Sequence, residues 1–219
     1  MMKVLIVDDH KIMRECLQGS LEAAGFQVIG AAANGREAVE FAPRLAPDVV
    51  IMDITMPELN GIEATRHLLH KWPSVQVIGL SVRTDKSSIL AMFAAGAAGY
   101  LAKPTASIAE LVLAIETVAA GQKYLSPGIA AILANTSELR RSVSRQGASR
   151  VGPRPLSARE REVLQLIAEG SSSKEIATRL RLAVPTVETH RRQLMDKLGL
   201  RSVASLTKYA VREGLSPLE

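Results

Sequence analysis

The chain is 219 residues long, 47% hydrophobic and 22% charged, which excludes a mostly disordered polypeptide and accommodates one or two globular domains. A single cysteine, Cys16, excludes a disulfide framework and an all-cysteine metal cluster, and it fits a reducing compartment. The formal net charge of +5 is unevenly spread, because residues 1–130 hold 11 Lys and Arg against 13 Asp and Glu, while residues 131–219 hold 16 against 9. A near-neutral front and a basic back suit a sensor joined to a polyanion-binding module, and equally a solvated basic surface.

Asp8 and Asp9 follow directly on the first apolar run, Val4–Val7, which leaves no readable signal peptide. The longest uncharged stretch, Ser87 to Ala102, is broken by Gly96 and Gly99 and falls short of the roughly 20 residues of a membrane helix. The expectation is a cytoplasmic protein with no membrane partner.

Over the first 125 residues the apolar runs Val4–Val7, Val28–Ala32, Val49–Met52, Val75–Leu80 and Gly99–Leu101 alternate with segments of helical period, such as Ile12, Leu17, Leu21 and Leu111, Ile115, Val118. Strand–helix alternation at this interval predicts an α/β doubly wound sheet of five parallel strands, each run continuous because helices cover both faces. Residues 126–155 read as a short helix and a basic linker: "SVSRQGASRVGPRP" has no apolar period, and 135–155 carry five arginines against one glutamate. The same residues could order as a basic arm on a phosphate backbone.

Residues 156–219 read as a small all-α domain of four helices. Ser157 with Glu160 and Ser172 with Glu175 form capping boxes ahead of the first two, and Gly170 stands where the first should end. A third helix is expected from about Pro185 to Leu198 and a fourth from about Ser202 to Arg212. Two short helices, a tight turn and a third helix suggest a helix-turn-helix.

In a doubly wound sheet, ligands bind beyond the carboxyl ends of the strands. Strand one ends in Asp8-Asp9, strand three in Asp53, strand four in Ser81 and strand five in Lys103, so three carboxylates, a hydroxyl and an ammonium converge on one edge. Adjacent carboxylates repel unless a cation sits between them, and few oxygen ligands with room for water suit Mg²⁺. A carboxylate beside Mg²⁺ and a lysine can attack a phosphoryl group while both cations neutralise developing charge. Asp48 and Asp85 read as structural, and the four histidines form no metal site; His10 reads as loop or helix-cap chemistry.

"VLIVDDH", "VVIMDITMPELNG", "IGLS" and "GYLAKP", in this order and spacing, resemble the receiver domain of two-component response regulators over about residues 1–125. The resemblance implies a CheY-like fold in which Asp53 accepts a phosphoryl group from a partner histidine kinase. It implies Mg²⁺ held by Asp9, Asp53 and the Thr55 backbone carbonyl, with Asp8 acting mostly through water. Ser81, Lys103 and the aromatic Tyr100 would be the switch residues, and Pro57 and Gly61 would shape the loop after the acceptor.

An α-helix turns by roughly 100° per residue, which sets the faces of the third helix of the second domain. Leu194 and Leu198 then fall within about 20° of Val187, while Glu188, Arg192, Thr189 and Gln193 occupy the far side from about 100° to about 240°. Arg can fork onto guanine, Gln onto adenine, Thr can touch the thymine methyl and Glu can accept from the cytosine amino group. A solvated face with Glu188 and Arg192 paired at i,i+4 is the plain alternative.

"LSAREREVLQLIAEGSSSKEIATRL" followed by "PTVETHRRQLMDKLGLRS" resembles the LuxR-type helix-turn-helix, and the whole chain resembles a NarL/FixJ-type response regulator. This implies a non-enzymatic regulator of transcription that binds promoter DNA. Glu188, Thr189 and Arg192 would contact bases, and Lys174, Thr186, Arg191 and Lys197 phosphates. A homodimer would form on DNA through the last helix, and RNA polymerase is a further partner in view. One departure is Ala183, which offers no capping oxygen where the family often has Ser or Thr. Glu188 is expected to read cytosine or to orient Arg192, since a carboxylate near phosphates needs a donor.

Overall fold

A computed structural model of the chain describes residues 1–134 and 156–216, in two compact units that lie within Met1–Gly147 and Ala148–Glu219. The expected basic linker or arm at 135–155 lies outside the described residues.

In the first unit, β1 (Lys3–Val7), β2 (Gln27–Ala32), β3 (Val49–Met52), β4 (Gln76–Ser81) and β5 (Gly99–Ala102) alternate with α1 (Lys11–Ala23), α2 (Gly35–Leu45), α3 (Gly61–Lys71), α4 (Lys86–Ala94) and α5 (Ile108–Ala119). All pairings are parallel, in the order β2-β1-β3-β4-β5-β6. The sheet therefore has six strands rather than the expected five. The sixth, β6 (Tyr124–Leu125), is too short to leave an apolar run in the sequence. It is defined by backbone bonds alone, Tyr124 N–H to Ala98 O at 3.0 Å and Ser126 N–H to Tyr100 O at 3.1 Å. Residues 127–134 are helical (α6).

Alternation along the strands divides the core. Val4, Ile6, Val49, Ile51, Ile78, Leu80 and Leu101 pack with Leu17 and Leu21 of α1 and Leu111, Ile115 and Val118 of α5. Leu5, Val7, Val50, Met52, Val77 and Tyr100 pack instead with α2, α3 and α4 through Ala38, Ile62, Leu68, Ile89 and Met92. Side chains at successive positions point to opposite faces, so each strand serves both layers and must be apolar throughout. Asn34, Asn60, Asp85 and Ser107 cap α2, α3, α4 and α5, each accepting from the backbone N–H three residues on. Asp48, just ahead of β3, ties it to the start of β1 by accepting from the Lys3 N–H at 2.8 Å, so the structural reading of Asp48 and Asp85 holds.

The second unit is helical: α7 (Ala158–Ala168), α8 (Ser173–Leu180), α9 (Val184–Leu198) and α10 (Val203–Arg212). Both expected capping boxes form, at Ser157/Glu160 and Ser172/Glu175. Val163, Leu164, Leu166, Ile176, Leu180, Val187, Leu194, Leu206 and Ala210 make its core. As expected, Ala183 gives α9 no side-chain cap, and a proline stands in its first turn. No helix of the described residues is long and apolar enough to cross a membrane.

Candidate functional site

The ladder bonds of the sheet continue one residue beyond the strands, and this is what sets the site. Asp8 N–H donates to Ala32 O at 3.1 Å, Asp53 N–H to Val7 O at 2.8 Å and Lys103 N–H to Ser81 O at 2.8 Å. Each chemical side chain is thereby fixed where its strand leaves the sheet. The Lys103 ammonium lies 2.6 Å from Asp8 Oδ2 and 2.7 Å from Asp53 Oδ2, with all three side chains almost wholly buried. The loop beyond Asp53 packs directly on it: Gly61 N–H donates to Ile54 O at 2.9 Å, and a β-carbon at 61 would stand 1.9 Å from the Asp53 carbonyl oxygen.

Burial raises the Asp53 carboxyl above its ordinary range, Lys103 opposes the shift, and Asp8 reinforces it. Burial by itself would lower Lys103, yet the two carboxylates outweigh it and hold the ammonium more firmly protonated than usual. Lys103 is thus a fixed positive charge beside the Asp53 carboxyl.

Asp8, Asp9, His10 and Asp53 bring one ligand atom each within 4.8 Å of one another. Asp8 Oδ2 and Asp9 Oδ1 are closed to solvent; Asp8 Oδ2 faces the Lys103 ammonium at 2.6 Å, and Asp9 Oδ1 has the His10 ring Nδ1 at 2.8 Å and accepts no aligned hydrogen bond. Buried acceptors short of donors are what a small divalent cation satisfies, so the residues present fit one. His10 stands at the N-cap position of α1, in keeping with the loop or helix-cap reading. Its ring does not cap α1 but stands over the acidic pair. Thr55 N–H donates to Asp53 Oδ1 at 3.3 Å, and its hydroxyl is buried without a hydrogen-bond partner.

Ser81 is buried at the end of β4, its hydroxyl accepting from Arg83 N–H at 3.1 Å. The fully buried Tyr100 donates its hydroxyl to the Arg83 carbonyl at 2.5 Å, and burial pushes its phenol up. The Arg83 guanidinium turns to Asp85 Oδ2 (3.1 Å) and Ser88 Oγ (3.0 Å). Tyr100, Ser81 and the start of α4 therefore form one hydrogen-bonded assembly.

In the second unit, Val187 and Leu194 of α9 are buried, Leu198 is half-buried, and Thr186, Glu188, Thr189, Arg192 and Gln193 are exposed. Thr189 spends its hydroxyl on the Pro185 carbonyl at 2.9 Å, which leaves its methyl as the outward group. Lys174 is exposed, whereas Lys197 pairs with Glu160 at 2.8 Å, across to the capping box of α7. Glu188 does not orient Arg192. It accepts from the hydroxyl of Ser173, which in turn accepts from Arg191 Nη1 at 2.9 Å. Sequence reasoning missed Ser173, because both partners lie on another helix, 15 and 18 residues away.

Comparison with known proteins agrees with both halves. The model described as the response regulator receiver domain matches residues 4–116, and that of the bacterial regulatory proteins of the luxR family matches 154–210. The chain is 38% identical over 216 residues to the response regulator GacA of Pseudomonas aeruginosa, covering 98% of each chain. It is 36% identical over 220 residues to the response regulator UvrY of Escherichia coli, covering 100% of this chain and 98% of that one. Among solved structures, the RcsB response regulator of Salmonella typhimurium aligns with a TM-score of 0.57 at 26% identity, over 96% of this chain and 98% of that one. A complex of RcsB with DNA aligns with a TM-score of 0.56 at 26% identity, over 95% and 96%. A strand-end acidic site in one unit and an exposed polar helix face in the other, matched along the full length by such relatives, make this chain a member of the two-component response regulators that join a receiver domain to a LuxR-type DNA-binding domain, a family of transcription regulators rather than enzymes.

Proposed function

We propose that this regulator is switched by phosphorylation of Asp53 and, once switched, binds promoter DNA as a dimer through α9. The observation that carries the reading is the Lys103 ammonium held between Asp8 and Asp53 at 2.6 and 2.7 Å. An Asp53 carboxylate oxygen attacks the phosphorus of a phosphohistidine on a partner kinase; the P–O bond forms, the P–N bond breaks, and the kinase imidazole leaves with the electron pair. Asp9, Asp53 and the Thr55 carbonyl would hold Mg²⁺, with Asp8 acting through water, and the bound ion would neutralise charge on the phosphoryl oxygens. Lys103 takes a phosphoryl oxygen in place of the Asp53 carboxylate it now faces. The Ser81 hydroxyl, whose oxygen accepts from Arg83 N–H, donates its proton to another, and the Tyr100–Arg83 link carries that change to α4. On DNA, Arg192, Glu188 and the Thr189 methyl read base edges, while Lys174, Thr186, Arg191 and Lys197 hold phosphates. The last helix, α10, supplies the dimer contact. The residues 1–125 constitute the receiver, 126–155 the connection and 156–219 the DNA-binding domain.

The test is fluorescence anisotropy of the full chain on a genomic DNA pool with Mg²⁺, with and without a small phosphoryl donor, alongside Asp53→Asn. Tighter binding by the phosphorylated parent alone supports the switch. Equal binding in all three states removes it and leaves the receiver as a scaffold.

A further inference from the structure

A carboxylate on a DNA-reading face is unusual, because phosphates repel it, and it has to be both neutralised and aimed to be useful. Glu188 is exposed on α9, one position from the buried Val187 and one turn ahead of Arg192. The Ser173 hydroxyl, in the first turn of α8, donates its single proton to Glu188 Oε1, and its oxygen accepts from Arg191 Nη1 at 2.9 Å. One hydroxyl therefore links an anion and a cation on the same helix from a neighbouring one. Ser173 directly follows the capping serine of α8, Ser172, whose N–H donates to Glu175 at 2.7 Å.

We infer that Ser173 is a specificity-determining positioning residue: through the Ser173–Glu188–Arg191 relay it fixes the Glu188 carboxylate as an acceptor for an exocyclic amino donor, that of cytosine, in the major groove. This rests on the DNA-reading function proposed for α9. The chemistry decides the base. With one oxygen of Glu188 engaged by Ser173, the other offers lone pairs alone, and cytosine presents an amino donor in the major groove without an adjacent acceptor such as adenine N7. Guanine offers acceptors at that edge and is rejected. Arg191, tied to the same hydroxyl, brings a positive charge to the phosphate beside the base and offsets the repulsion of the carboxylate. A hydroxyl is required at 173 because it is at once donor and acceptor; a methyl is neither.

Binding-site selection from random duplexes, with the phosphorylated full chain, tests the relay in the parent, Ser173→Ala, Ser173→Thr, Glu188→Ala and the Ser173→Ala/Glu188→Ala double variant. The parent should require cytosine at one position of each half-site. Ser173→Ala should relax that position by about tenfold while the preferences at other positions stay unchanged. Ser173→Thr should restore the preference. Glu188→Ala should relax the same position, and adding Ser173→Ala should change nothing more. A uniform loss of binding by Ser173→Ala with the preference at that position kept, or relaxation at a different position, overturns the relay and leaves Ser173 a packing or phosphate residue. Full retention of the parent's preference by Ser173→Ala overturns it as well. A parent that binds duplexes with no preference at any position overturns the base-reading assignment of α9, and the relay with it.

Discussion

Asp85 shows how much one side chain can hold in place. Its carboxylate accepts from Ser88 N–H at 3.0 Å, Ser87 Oγ at 2.6 Å and Ser88 Oγ at 2.8 Å, and faces Arg83 Nε at 3.1 Å. Partial burial works to raise its pKa, but these donors outweigh it and bring it down to about 2. A carboxyl depressed in the folded state contributes stability that is present above its unfolded value and is lost as pH falls through the folded one. Asp85→Asn keeps the cap but removes the charge. Parent and variant should therefore differ in denaturant midpoint by a constant amount above about pH 5, and the difference should close from roughly pH 4 downward. A gap independent of pH between 6 and 3 would refute the charge's part in it. At this scale the acidic site was legible because Asp8, Asp53, Ser81 and Lys103 each terminate or directly follow an apolar run, and the end of a strand is visible in a one-dimensional pattern. The partners of His10 and Ser173 were not legible. A ring turned onto two carboxylates and a hydroxyl shared between helices are set by χ angles and helix packing, which leave no period behind.

The elements differ in how well their ends are specified. The helices α7 and α8 begin in reciprocal capping boxes, and α10 begins with Ser202 accepting from Ser205 N–H at 3.2 Å, whereas α9 begins with Ala183 and no side-chain acceptor. Ala183 already has the extended backbone of a capping position, φ −77° and ψ 145°, so a hydroxyl there needs no rearrangement. Ala183→Ser should stabilise the second unit by about 0.5–2 kcal/mol, seen as a higher thermal midpoint for that unit in calorimetry. An unchanged midpoint would mean the first turn of α9 is already satisfied by other donors and acceptors. The face of α9 could be read in advance because Val187, Leu194 and Leu198 repeat at helical spacing. The strand β6 could not: its two residues carry no alternation, and its place depends on where α5 returns the chain to the edge of β5.

Across the receiver as a whole, the sheet separates two packed layers, and Tyr100 belongs to the one built from α2, α3 and α4. Its neighbour Leu101 belongs to the layer of α1 and α5. Tyr100→Phe removes the hydroxyl that donates to Arg83 O and leaves the ring's packing in place. Amide hydrogen exchange should then quicken across 82–94, covering the loop after β4 and all of α4, while α1 and α5 keep the parent's protection. Equal acceleration in both layers would show that the sheet does not partition the response. The two-layer plan followed from uninterrupted apolar strands, but which helices share a layer came from the crossover path, in which α1 and α5 return on the same side.

Position 61 carries a consequence for descent. With the Asp53 carbonyl oxygen 1.9 Å from where a β-carbon would stand, hydrogen is the one substituent that the loop tolerates without moving. Point changes that are silent at exposed positions are barred at this buried one, since any of them must first rebuild the path between Asp53 and α3. Among diverged copies of this gene, a residue other than glycine at 61 marks a lineage in which selection on the loop after Asp53 has lapsed or its geometry has been reinvented, and it does so from a single codon.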